Sequence, residues 1–328
     1  MKSYLDNRSQ FVQYNDFRSE CLDVVCGVPQ GSVLGPILFM LFINDFFECL
    51  DQNSCEIFMF ADDIQILFFG QVHLLSETEA LINDCLSKTE SWMSENKLKI
   101  NASKTKAMLF NSLGVTDLQL HLHLNNTQIE FVNKLKCLGV TIDNRLTFES
   151  HIHTLSSSIN FTLKRLYSLN IQLPLNVRKT VANSLLVSRL LYGLEVYSGT
   201  IERHVAEIRR LFNRVVRFVY NIKLHESVSN SVIDFLNLSV ENFIIFRLLL
   251  LFYKIFNQDS PKYLVDLFRF GRSTRSRQLV VPQINSSLFE RSFQVRVIRC
   301  WNLLPNELKS FSSSTATFKR NLTECLNS

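Results

Sequence analysis

Glycine and proline are scarce in this sequence, nine and six among 328 residues. So few backbone breakers exclude collagen-like and Pro/Gly-rich disordered chains and favour regular elements with large apolar contacts. The eight cysteines form no C-x-x-C pair and no framework spacing, which excludes a disulfide-stapled scaffold and leaves reduced, mostly buried thiols. The pairs His121/His123 and His151/His153 lack cysteine or histidine partners at zinc spacing, so they read as structural or surface residues. The opening MKSYLDNRSQ has no apolar core and is not a signal peptide. The most apolar runs, SVLGPILFMLFINDFF and FIIFRLLLLFYKIF, are short and interrupted by Pro36 and Arg247, and read as buried elements rather than membrane spans. Together these absences imply an intracellular protein of nucleus or cytoplasm, not secreted and without a membrane partner.

What is present is a globular composition, 46% apolar and 20% charged with 27 phenylalanines, on a chain long enough for two or three domains. The net charge of +5 conceals a split. Residues 1–160 hold 11 Lys/Arg against 19 Asp/Glu, and residues 161–328 hold 24 against 11. An acidic half followed by a basic half suits a metal-carrying part joined to a polyanion-binding part, although chance partition of surface charge gives the same totals.

Residues 21–26, CLDVVC, predict a short strand leading into the turn GVPQGS. A helix buried almost all round should follow, with Ser32 as its N-cap and Pro36 tolerated in the first turn. Residues 76–98 predict an amphipathic helix whose apolar face carries Leu81, Ile82, Cys85, Leu86, Trp92 and Met93, opened by a capping box of Ser76 and Glu79. LQLHLHL alternates with period two, and TQIEFVNKLKCLGVTID reads as two more short strands. From about 148 the period turns helical. The predicted organisation is α+β: residues 1–147, a helical domain over 148–268, and a small helical extension over 269–328 after the basic loop RFGRSTRSRQ.

Two features carry chemistry. In EIFMFADDIQILFF, Asp62 and Asp63 sit between two strand-like apolar runs, with Phe58, Phe60, Ile64 and Ile66 expected to anchor the turn in a core. Paired carboxylates on a rigid turn suit Mg²⁺, which takes oxygen ligands and serves phosphoryl transfer, whereas Asp-Asp in most turns is merely solvated. In IERHVAEIRRLFNRVVRFVYNI, Val205, Ile208, Phe212, Val215 and Val219 share one helical face. Arg203, Arg210, Arg214 and Arg217 share the other, weakly countered by Glu207; such a stripe can follow a phosphate backbone or simply be a solvated face.

GVPQGSVLGPILFMLFINDF, FADD, NASKTK and KCLGVTID occur in that order, and together they closely resemble the polymerase motifs of the reverse transcriptases of non-LTR, LINE-like retrotransposons. KSYLDNRSQFV before them and LPNELKS near the end are similar to that family as well. The resemblance implies a right-hand polymerase, with an antiparallel palm sheet packed on helices, then a helical thumb. It implies RNA template, DNA primer and deoxynucleoside triphosphates as partners and two Mg²⁺ ions as cofactor. By the same resemblance Phe60, Ala61, Asp62 and Asp63 form the catalytic metal motif, with Asp62 the direct ligand and Asp63 in support. Gln30, Gly31 and Ser32 lie against template and incoming nucleotide. Asn101 and Lys104 stand beside the triphosphate, where a lysine offsets charge developing on pyrophosphate. Leu138 and Gly139 belong to the strand pair that grips the primer.

The family's other metal-binding carboxylate belongs to a motif upstream of SYLDNRSQ, and none of Asp6, Asp16 or Asp23 has the matching context. The expectation is therefore a C-terminal part of a polymerase, without fingers, inactive alone unless an upstream polypeptide supplies the missing motif. Two other readings stay open: a non-catalytic nucleic-acid-binding remnant using the arginine-striped helix 201–222, and an inert remnant with an exposed sheet edge.

Overall fold

The computed structural model describes residues 2–25, 27–29, 31–51, 53–110, 120–169, 173–271, 277–311 and 313–327. The chain is α+β, and it divides into two units: residues 1–107 with 117–130, and residues 108–116 with 131–328.

The first unit is organised by a hairpin of Cys55–Phe60 and Asp63–Phe68, in register from Cys55↔Phe68 to Phe60↔Asp63. Side chains alternate across it, as the pleat requires. Cys55, Ile57, Met59, Ile64, Ile66 and Phe68 pack against Ile43, Phe46, Trp92 and Met93. The Phe46 and Trp92 rings meet edge-on with centroids 5.2 Å apart. Trp92 and Met93 come from the helix Leu75–Glu95, whose buried residues recur every three or four positions from Ile82 to Met93.

No side-chain cap opens that helix, so the Ser76/Glu79 capping box does not form. Glu79 instead accepts the backbone N–H of His121 at 3.0 Å. Asn83, one turn on, donates to the His121 carbonyl at 3.0 Å and accepts the His123 N–H at 3.1 Å. The helix thus supplies the partners that a neighbouring strand would give to 121–123, while Leu120, Leu122 and Leu124 point into the core. The strand then turns through Asn125 and Asn126, both left-handed, into Thr127–Gln128.

The helix after GVPQGS is shorter and less buried than its apolar sequence predicts. It runs Gly35–Ile43 and continues as a 3₁₀ turn, Asn44–Cys49. Ser32 is not its N-cap residue, although its hydroxyl accepts the Gly35 N–H at 3.1 Å. Ile43, Phe46 and Leu50 are buried in the core, whereas Ile37, Met40, Leu41 and Phe42 are exposed. Among the described residues the strands pair two by two rather than as one wider sheet.

The second unit begins with a hairpin, Lys134–Cys137 and Val140–Asp143, so the structural division falls at 131 rather than at the expected 147. The Asp143 carboxylate organises the exit, accepting the N–H groups of Arg145, Thr147 and Phe148 at 3.1, 3.0 and 2.6 Å. Phe148, left-handed at φ +54°, then admits the helix Glu149–Ser168. Its core is built from helices Glu202–Tyr220, Val240–Gln258, Phe293–Leu303 and Thr315–Asn327. Trp301 is fully buried, stacks on Phe311 at 5.2 Å, meets Phe252 at 4.9 Å and donates its indole N–H to the Arg277 carbonyl at 3.0 Å. Tyr253 stacks on Phe318 at 3.8 Å. Residues 269–328 therefore share this core instead of forming the separate extension expected of them, because their aromatic side chains interleave with those of Val240–Gln258. Residues 272–276 of the basic loop lie outside the described residues.

By length and composition alone, the stretch Ser229–Gln258 is long and apolar enough to cross a membrane. It is two helices parted at left-handed Asn237, and Val240–Gln258 buries Leu248, Leu249, Phe252 and Tyr253 in the core while Arg247 pairs with Glu195 at 2.6 Å.

Candidate functional site

The carboxylate pair stands at the tip of the first-unit hairpin. Phe60 and Asp63 close the ladder, so Ala61 and Asp62 are the two turn residues. Ala61 has φ +53°, a left-handed conformation that disfavours any residue with a Cβ. A strained residue immediately before Asp62 fixes the direction in which the turn leaves the strand, and strain of this kind gathers where a side chain must be aimed. Asp62 and Asp63 are both exposed.

The register corrects the expected anchoring. Phe58 and Phe60 pair with Gln65 and Asp63 on the outward face, and Phe60 is 65% exposed. Ile57 and Met59, opposite Ile66 and Ile64, are the residues that hold the turn to the core. Counting apolar residues near the aspartates missed this, because period-two faces put Phe58 and Ile64 on opposite sides. Among the described residues, no group of three or more His, Cys, Asp or Glu could hold a metal ion. The pair has the hard oxygen donors that Mg²⁺ prefers, but two carboxylates leave most of its coordination to water or substrate.

In the GVPQGS turn, Gln30 lies outside the described residues. Gly31 takes φ +80°, which only glycine adopts without cost. The Ser32 hydroxyl accepts both the Tyr4 O–H at 2.5 Å and the Gly35 N–H, leaving its own proton to donate. In NASKTK, the Asn101 side-chain oxygen is committed locally, accepting Ser103 Oγ at 2.7 Å and the Lys104 N–H at 3.2 Å. Asn101 therefore shapes the turn that presents Lys104, which is exposed.

Residues 1–142, which contain these three turns, match the family described as reverse transcriptase (RNA-dependent DNA polymerase). Residues 1–142 belong to the reverse transcriptase family. The likeness continues beyond that segment. The chain is 30% identical over 226 residues to the RNA-directed DNA polymerase from mobile element jockey of Drosophila melanogaster, covering 66% of this chain and 24% of that one. It is 26% identical over 244 residues to the probable RNA-directed DNA polymerase from transposon X-element of the same fly, covering 70% and 26%. A Pol polyprotein from type-1 retrotransposable element R1 of Bradysia coprophila is 28% identical over 206 residues, covering 62% and 20%. The chain spans about a quarter of the length of these relatives. No solved structure matches it. Each of these relatives comes from a mobile or retrotransposable element.

The remaining candidate residues lie in the second unit. Leu138 and Gly139 are the two turn residues of the Lys134–Asp143 hairpin, both left-handed at φ +44° and +87°. Tyr192, which no sequence pattern singled out, donates its hydroxyl to the Leu138 carbonyl at 2.5 Å. The arginine stripe occupies helix Glu202–Tyr220, where Ile208, Phe212, Val215 and Val219 are fully buried as expected. His204, Leu211, Val216 and Phe218 are buried too, so the helix is embedded over more of its circumference than the stripe suggested.

Three of the four arginines have protein partners. Arg203 pairs with Glu149 at 3.2 Å, and Arg214 donates to Asn160 Oδ1 at 2.9 Å. Arg217 caps the helix exit by donating to the carbonyls of Lys223 and Glu226. Only Arg210 is exposed with no hydrogen bond or ion pair among the described residues. A stripe read from helical period reports direction alone; partners from distant sequence decide which charges stay available.

Proposed function

We propose that residues 1–142 serve RNA-directed DNA synthesis, with RNA template, DNA primer and deoxynucleoside triphosphates as substrates. The observation that carries this reading is the exposed pair Asp62–Asp63 on a strained two-residue turn, inside the segment that belongs to the reverse transcriptase family. Asp62 and Asp63 would hold Mg²⁺, which when bound neutralises charge on the triphosphate during nucleotidyl transfer. Lys104 adds a positive charge on its own turn, and Gly31 lets backbone approach a bulky ligand without a Cβ in the way. In this reading the first unit is palm, the Leu138–Gly139 turn grips the primer, and the helices from Glu149 onward form the thumb.

The pair alone is short of ligands for two ions, so the 1–328 chain is expected to leave an oligo(dT) primer on poly(rA) unextended with Mg²⁺. The test joins this chain to the preceding part of a related element's polymerase and repeats the assay. Extension that disappears in Asp62→Asn supports the reading; extension that survives Asp62→Asn and Asp63→Asn together refutes it.

A further inference from the structure

The second unit contains an open cleft of about 400 Å³, with Ser198, Glu241, Glu290, Arg291, Arg296 and Arg299 among its lining residues. Arg296 and Arg299 lie three residues apart on helix Phe293–Leu303, and so on one face of it. Both glutamates are already matched: Glu290 by Arg299 at 2.8 Å, and Glu241 by Arg209. Arg296 is different. Its guanidinium is half-buried and donates to neutral acceptors only, the Glu195 carbonyl at 3.3 Å and Ser198 Oγ at 3.0 Å. The Glu195 carboxylate is taken by Arg247 at 2.6 Å, and among the described residues Arg296 has no ion pair.

Burial pushes the Arg296 guanidinium down to about 10. A desolvated cation without a counter-charge is unfavourable, and an anion entering from solvent relieves it. Gly199 leaves space beside this group, since a Cβ there would come within 3.2 Å of Arg296 Nη1 and 2.6 Å of the Arg291 carbonyl. Ile244 and Ile245 give the cleft an apolar wall, against which charge–charge attraction is less screened. Arg299 is half-exposed and its pair with Glu290 is a surface pair, so its fork can be exchanged to an incoming ligand at little cost.

We infer that this cleft binds a phosphate group, with Arg296 as the buried anchor and Arg299 closing on it from the rim. Guanidinium forks match the planar pairs of oxygens that a phosphate presents. The phosphate can belong to a nucleic-acid backbone or be free inorganic phosphate, and the site does not depend on the carboxylate pair of the other unit.

The test titrates the full 1–328 chain with inorganic phosphate by calorimetry, then follows a fluorescein-labelled oligonucleotide by anisotropy with and without phosphate. Binding of phosphate is expected, weakened about tenfold or more by Arg299→Glu and by Arg296→Gln, and left unchanged by Arg320→Glu as a charge-matched exposed control. Competition between phosphate and the oligonucleotide assigns the site to backbone phosphate; binding without competition assigns it to the free anion. Absence of phosphate binding, or binding that Arg299→Glu leaves within twofold of the unaltered chain, overturns the inference. That second arm holds even if Arg296→Gln fails to fold.

Discussion

Gly139→Ala should uncouple the second-unit hairpin from Tyr192 in a measurable way. Leu138 and Gly139 turn the chain between Cys137 and Val140, both in left-handed conformations. At φ +87° an alanine costs about 1–2 kcal/mol in backbone strain, partly offset by about 0.4–1 kcal/mol because alanine restricts the unfolded chain. The new Cβ would also lie 2.9 Å from Tyr192 Cε1, closer than carbon atoms tolerate. Tyr192 must then move, and its hydrogen bond to the Leu138 carbonyl goes with it, a further ~0.5–1.5 kcal/mol. The expected total is about 0.5–3 kcal/mol.

Tyr192→Ala removes the obstructing ring, so Gly139→Ala in that background should cost only its backbone part. The difference between the two backgrounds is the coupling. Urea unfolding by tryptophan fluorescence measures it, with Trp92 replaced by phenylalanine so that Trp301, in the second unit's core, is the sole reporter. Equal costs in the two backgrounds would refute the argument that Tyr192 holds the turn.

Ala61→Gly removes a left-handed Cβ from the carboxylate turn and should stabilise the Cys55–Phe68 hairpin by up to about 1 kcal/mol, read as slower amide exchange over residues 55–68; faster exchange would count against strain at Ala61. Burial lowers the His151 imidazole below its usual 6.5, with Lys136 adding to the effect. The folded state therefore binds fewer protons, so its stability is fully present above pH 6.5 and falls as the pH drops below that value. His151→Phe should flatten this slope in urea midpoints taken across the range. Trp301→Ala should cost about 3–5 kcal/mol and unfold the second unit as a whole, and a chain ending at 268 should bind the dye ANS; independent folding of 131–268 would show that 269–328 is separable after all.

What could be read from the sequence was what depends on neighbours along the chain. The helix Leu75–Glu95, the alternation Leu120, Leu122, Leu124 and the buried seam Ile208, Phe212, Val215, Val219 all follow from period. The aspartate pair and its hairpin also followed, because apolar runs flank a two-residue turn. The partners were not legible. Glu79 fits a capping box by spacing, yet its carboxylate is drawn to the His121 N–H, 42 residues away, because that unpaired strand edge needs an acceptor. Arg203 and Arg214 read as free charges until Glu149 and Asn160 are brought beside them by helix packing. Arg296 has no signature in the sequence, since an arginine three residues from Arg299 reads as half of a solvated face until its neighbours prove to be neutral.

The carboxylate tip gains meaning from the same distinction. Asp63 stands on the outward face of the hairpin beside Phe60 and, further along, Phe58 and Gln65. Phe60 is a large apolar side chain left 65% exposed directly across the ladder from a carboxylate. Solubility alone would favour a polar residue there, and the core is already filled from the other face by Ile57 and Met59. An aromatic ring flanking a carboxylate is useful where a ligand has both charge and a flat apolar surface, as a nucleotide does. Phe60→Ser should then leave the hairpin's stability nearly unchanged, because no core contact is lost, while weakening nucleotide engagement in the joined polymerase, seen as a raised KM for the triphosphate. A substitution that instead unfolded the first unit would mean that Phe60 is structural, and would remove the reason for reading this face as a contact surface.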